Sequence, residues 1–159
     1  MGRMYTVEFE GTTVANASGT VDLFEITPAD DLPCTVHALF LSVSSELGDA
    51  AEEILRIRVI RGHVTSGSGG TATTPRPLVF GDSAAGFSAE TLNTTIASTG
   101  TVNNLHSDGF NVRSGFPLVL TPEMRWGVTQ ANTTLVVRLM AAVSDDVTMS
   151  GTLYVEELG

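Results

Sequence analysis

The sequence predicts an all-β fold, a β-sandwich of the jelly-roll or Greek-key kind with long ordered loops. Three observations predict it. Apolar residues recur with period 2 in many short runs, as they do along strands, where successive side chains point to opposite faces. Turn formers separate the runs at short intervals, with 16 Gly and 6 Pro in 159 residues. Almost no stretch places its apolar residues at helical spacing. A chain of short two-faced strands buries them by packing sheet on sheet.

The elements follow in order. Arg3 to Glu10 alternates cleanly, Tyr5, Val7 and Phe9 against Met4, Thr6, Glu8 and Glu10, the pattern of a half-buried outer strand. Gly11 is expected to turn it, with a weaker strand over Thr12 to Ala17. In Thr20 to Thr27, Val21 and Leu23 face one way and Phe24 and Ile26 the other. Pro28 and Pro33 exclude a helix between them. Cys34 to Ser45 is apolar on both faces and reads as a central strand. His37 lies within it and is expected to be a core or sheet-face histidine with a backbone partner, since no second metal ligand stands at i+2 or i+4. Glu46 to Glu52 allows at most one helical turn, begun at Asp49. Glu53 to His63 is the next strand, with Leu55, Ile57 and Val59 on one face and Ile54, Arg56, Arg58 and Ile60 on the other. Sequential strands tend to be neighbours, so these two long runs are expected to pair; opposing sheets are the alternative.

Residues 1–159 read as one domain with a small-residue-rich excursion over about 64–104. Leu78, Val79, Phe80, Phe87, Leu92 and Ile96 are its candidate anchors. Short strands are expected near Leu78–Phe80 and Thr94–Ala97, with Ser88–Leu92 a candidate helical turn. The loop from Val64 to Pro77 is too polar to build a core and is expected to be ordered by neighbouring molecules. Strands follow over Leu105–Arg113, Leu118–Leu120 and Arg125–Val128, with a turn over Ser114–Pro117. Asn132 to Val143 is apolar on both faces. Val147 to Glu157 alternates almost perfectly, with Val147, Met149, Gly151, Leu153 and Val155 inward. These last two runs are expected to form a hairpin.

Charge narrows the partners. With 18 acidic and 8 basic residues the chain carries a formal charge of -10. Nucleic acid and anionic membrane are approached through clustered cations, so neither is expected as a partner. All eight cations are Arg, whose planar fork suits carboxylates across interfaces. The one cysteine, Cys34, forms no intrachain disulfide and reads as a buried, inert thiol. Met1 to Glu8 has no apolar core of a signal peptide, and no apolar run approaches the roughly 18 residues of a membrane helix.

No motif carries catalytic chemistry. His37, His63 and His106 are far apart in sequence, and His106-Ser107-Asp108 holds triad residue types whose neighbours on a strand point to opposite faces. The acidic pairs fit no calcium-loop frame, and Gly67-Ser-Gly-Gly70 lacks the ending of a phosphate loop. No enzyme, metal or cofactor is therefore expected. The candidate sites form a partner or subunit interface: Arg56, Arg58, Arg61, His63, Ser66, Arg76, Arg125 and Trp126. Arg56 and Arg58 read either as a solvated sheet face or as a partner-facing site. Trp126 reads either as core filler or as an interface anchor.

Four blocks carry a resemblance: Leu47 to Gly70, containing Glu53-Ile-Leu-Arg-Ile-Arg-Val-Ile-Arg-Gly-His63, then Ala89–Thr95, Phe110–Gly115 and Met149–Glu157. In overall texture the chain resembles small proteins of tailed bacteriophages and prophages, in particular the capsid cement or decoration (head auxiliary) family. That resemblance implies a β-sandwich, a homotrimer, the major capsid protein as partner, and a place on the capsid exterior of a virion assembled in the host cytoplasm. It transfers no catalytic residue. The alternative is a β-sandwich module of a phage tail or fibre that binds carbohydrate or a receptor.

Overall fold

The computed structural model describes residues 2–46, 48, 52–129 and 131–159. The chain is all-β. Its strands are β1 (Arg3–Val14), β2 (Val21–Thr27), β3 (Cys34–Val43), β4 (Ile54–His63), β5 (Thr71–Thr73), β6 (Arg76–Pro77), β7 (Ser88–Asn93), β8 (Asn103–Asn111), β9 (Phe116–Val119), β10 (Trp126–Val128), β11 (Thr134–Leu139) and β12 (Val147–Glu157). Two antiparallel sheets pack face to face. The first has the order β10–β3–β12–β1–β6, with β9 also on β3; the second has the order β5–β7–β2–β11–β4–β8.

The pairing is that of a wrapped ribbon. β1 and β3 flank β12, while β2 and β4 flank β11. Early strands thus pair with late ones, and β1 to β4 fall alternately in the first and second sheet. This is the winding of a jelly roll. The connections at 15–20, 28–33, 44–53 and 140–146 are not the two-residue turns that force a hairpin. Each can step across the ~10 Å between packed sheets.

Period-2 patterning fills the space between them. Tyr5, Val7 and Phe9 of β1 and Val147, Met149, Gly151, Leu153 and Val155 of β12 face inward, as do Leu55, Ile57 and Val59 of β4. They meet Phe24 and Ile26 of β2 and Leu135, Val137 and Leu139 of β11 in one core. Phe9 and Phe24 touch across the sandwich with ring centroids 5.2 Å apart. Each fully buried Leu, Ile, Val or Phe contributes about 1.5–3 kcal/mol relative to the exposed state.

Cys34 belongs to this core. Burial first, and then the charge of Glu157 on the neighbouring strand, push its thiol up to about 12. An aromatic disulfide reagent at pH 8 is expected to leave Cys34 unlabelled until the protein is denatured. Rapid labelling of native protein would show that the first sheet opens at this end.

Several expectations are corrected. β3 and β4 do not pair; they lie in opposing sheets. β11 and β12 are likewise in opposite sheets and form no hairpin. Gly11 does not end the first strand. With φ of +55° it sits where the β1–β12 register shifts, so the strand bulges and runs on to Val14. Ser88–Leu92 belongs to strand β7, not to a helical turn. In the excursion the strands fall at 71–73, 76–77 and 88–93, not at Leu78–Phe80 or Thr94–Ala97. Leu78, Val79 and Phe80 are exposed and anchor nothing, whereas Phe87 is buried. Phe116 and Pro117 are not a turn but open β9, where Pro117 faces Phe40 on the edge of the sheet, a place that tolerates a missing N–H. The turn expected at Asp49 lies outside the described residues.

Candidate partner-facing surface

The outer face of the second sheet sets the character of the molecule. A lone sheet in a sandwich shows one face to water, but all six residues of β11 are buried, as are Val21 to Ile26 of β2. The loops at 64–70 and 94–101 cover the outer face, joined to each other by bridges Thr65–Ser98 and Ser68–Thr95. Ile60, Val136 and Ala97 form a small second apolar cluster beneath them.

Buried carboxylates clip the loops down. Asp22, fully buried, pairs with the Nε of Arg138 and accepts from the Arg138 Nη2 at 3.1 Å and the Ala97 N–H at 2.7 Å. Arg138 Nη2 also donates to the Ala97 carbonyl at 2.9 Å. Glu25 accepts from Ser66 Oγ at 2.7 Å, from the Gly67 N–H at 3.0 Å and from Asn93 Nδ2 at 3.0 Å. Asn93 Oδ1 in turn accepts the Gly70 N–H at 3.1 Å. On the other sheet, Glu157 Oε2 accepts the Gly86 and Phe87 N–H groups at 2.7 and 3.1 Å. A buried carboxylate that already accepts three hydrogen bonds from its own chain, as Asp22 and Glu25 do, is a structural group. Gly62 marks how close the cover lies: at φ of +106°, a Cβ here would fall 2.2 Å from the Thr101 carbonyl oxygen. The loop from Val64 to Pro77 is therefore held by its own chain, which corrects the expectation that it is ordered by neighbours.

The candidate residues separate into three groups. His63 and Trp126 point into the protein. His63 is buried with Nδ1 3.3 Å from the Thr99 carbonyl oxygen, and Trp126 is part of the core, stacked on His106 with centroids 5.5 Å apart. Ser66 and Arg61 serve internal bonds, Ser66 to Glu25 and Arg61 Nη1 to the Gly127 carbonyl at 2.8 Å. Arg61 still lines a polar cleft of about 470 Å³ with Asn103, Thr101 and Thr133. Arg56, Arg58, Arg76 and Arg125 remain at least partly open.

His106 and Asp108 do share a face, because they are two apart on β8, and lie 3.6 Å from each other. Ser107 falls on the other face, opposite Arg58. The three do not form a catalytic line. His37 Nε2 lies 2.8 Å from Glu156 Oε2, so its partner is a side-chain carboxylate and not the backbone. Among the described residues no group of three or more His, Cys, Asp or Glu could hold a metal ion.

The carboxylate clips were missed by sequence reasoning. Asp22 and Glu25 in an apolar strand look like solvent-facing positions, and only the spacing of two acids inside a run apolar on both faces hints otherwise. Also missed was the apolar tip: Leu78, Val79 and Phe80 are 52%, 60% and 106% exposed. The Leu78 N–H donates to the Met4 carbonyl and the Asp82 N–H to the Val79 carbonyl, which fixes the base and bend of this tip beside the first sheet.

Comparisons with protein-family models, curated proteins and solved structures find no match.

Proposed function

We propose that the protein is a structural virion protein, a cement or decoration protein that docks as a homotrimer on the outer surface of a tailed-phage head against the major capsid protein. It works by binding and carries no enzymatic activity. The observation that carries this reading is the tip at Leu78–Phe80. A fully exposed Phe flanked by exposed Leu and Val, on a base tied to the sheet, is what an interface anchor looks like before it meets its pocket. The strapped loops add to it. A protein that braces a shell must resist deformation, and repeated modest contacts then sum to high avidity. The glycan-binding alternative has less support, since among the described residues no aromatic ring lines the polar cleft at Arg61 for a sugar to stack on.

The test adds purified protein to expanded heads that lack it and images them. Ordered density at symmetry-related sites on the head exterior is expected, with Phe80→Ser lowering occupancy at equal concentration while leaving the melting temperature within about 2 °C, as for a surface change. Empty heads at saturating protein, or full occupancy by the Phe80→Ser variant, would sink the reading or the role given to the tip, respectively.

A further inference from the structure

The described residues place two guanidiniums together without a counterion, in a chain that has more than twice as many acids as bases. Arg56 and Arg58 lie two apart on the outer face of β4, beyond the part that the loops cover. Neither guanidinium has a hydrogen bond or ion pair among the described residues, and Arg58 Nε is buried without a partner. The neighbouring charges are spoken for. Arg138, opposite Arg58, is paired with Asp22, and Asp108 turns to His106 and to the Gly109 N–H at 2.7 Å. Elsewhere, Arg113 sits 3.6 Å from Glu52, while Arg125, whose Nε is also buried without a partner among the described residues, lines a separate cleft with Glu123. Arg76 lies on the short edge strand β6 of the other sheet.

The setting is built for contact. Arg56 and Arg58 face Gly109 and Ser107 on the edge strand β8, so only small side chains stand between the guanidiniums and the free edge of the sheet. They line a cleft of about 530 Å³ whose walls include Ile54, itself 59% exposed, and Met140. Arg and Met beside exposed aliphatic surface is the composition of an interface core, whereas a free phosphate would need no apolar wall. Two guanidiniums are too few for a nucleic acid, which would need many phosphate contacts to be held against the net charge of -10. Residues two apart on an extended chain repeat at about 6.6 Å on one face, so acids at alternate positions would match Arg56 and Arg58 one to one. We propose that this cleft binds an extended, carboxylate-bearing segment of a partner protein, with Arg56 and Arg58 each taking one carboxylate and Ile54 and Met140 covering its apolar side chains.

The site does not rest on the virion reading, because it is measured in the free protein. The probe is a fluorescein-labelled peptide of alternating glutamate and valine, followed by anisotropy at low salt. Saturable binding is expected, weakened roughly tenfold or more in the glutamine version of the peptide and in the Arg56→Gln/Arg58→Gln double variant. Arg76→Gln should leave it unchanged. Circular dichroism melts of each variant separate lost binding from lost folding, and Arg56→Gln alone, at an exposed position, serves if the double variant is unstable. Absence of saturable binding, equal binding by the folded double variant, or displacement by equimolar inorganic phosphate would overturn the proposal. So would a change in the protein's own oligomeric mass on Arg56→Gln/Arg58→Gln, since the occupant would then be a second copy of this chain.

Discussion

Arg138→Met is expected to lower the unfolding free energy by about 3–5 kcal/mol, because it strands a carboxylate in the protein interior. Asp22 is fully buried and Arg138 is 7% exposed. The pair costs desolvation on both sides, so its net worth as a pair is small. Removing one member is different: Asp22 keeps only the Ala97 N–H at 2.7 Å, and the Ala97 carbonyl loses its donor. In a chain of 159 residues the melting temperature should fall by roughly 6–20 °C. The double variant Asp22→Leu/Arg138→Met should recover much of that loss, since apolar pairs of similar volume often replace buried ion pairs without cost. A urea titration of the two single variants and the double variant gives the coupling energy directly. A loss under about 1 kcal/mol for Arg138→Met would mean that water reaches Asp22, and the loop at 94–101 would then not be clipped as described.

Glu25→Ala comes second. It removes the acceptor of Ser66 Oγ, the Gly67 N–H and Asn93 Nδ2 in one step. Ser66 can turn to water, but Gly67 is buried. A cost of about 2–4 kcal/mol follows from leaving buried donors unmade. The damage should also be local. Amide exchange at Gly67 and Gly70 should accelerate far more than in β1 or β12, which share no bond with Glu25. Uniform acceleration across both sheets would instead make Glu25 part of the global fold. The same geometry bears on removal of Ser66–Thr73: that deletion takes away two of Glu25's donors and all of β5, so the fold should suffer along with any assembly.

Strand faces were legible in the sequence to a degree that particular residues make clear. Tyr5, Val7 and Phe9, Leu55, Ile57 and Val59, and the whole inward set of β12 follow from alternation alone. Of the candidate interface, Arg56 and Arg58, which have no partner among the described residues, were visible as a cationic face on one strand. Trp126 was not resolvable, because a tryptophan next to an arginine looks the same in a core as at an interface until His106 is seen against its ring. The apolar tip was misread for a related reason. Leu78-Val-Phe80 has the composition of a buried strand, and nothing local says that its neighbours leave it bare.

The sequence by itself determined that this is an all-β chain with a two-layer core, and which side chains of its cleanly alternating strands β1, β4 and β12 face that core. Period 2 is a local property of the backbone, so it survives in the sequence without knowledge of partners. Only the tertiary structure decided which strands pair. β1 finds β12 and β2 finds β11 across most of the chain, and connections longer than a tight turn leave that choice to the packing of the whole sandwich. Tertiary structure also decided that Asp22, Glu25 and Arg138 are interior groups. Their burial is caused by loops distant in sequence, which lie over the sheet because those same charged groups satisfy the backbone that a covering loop must bury.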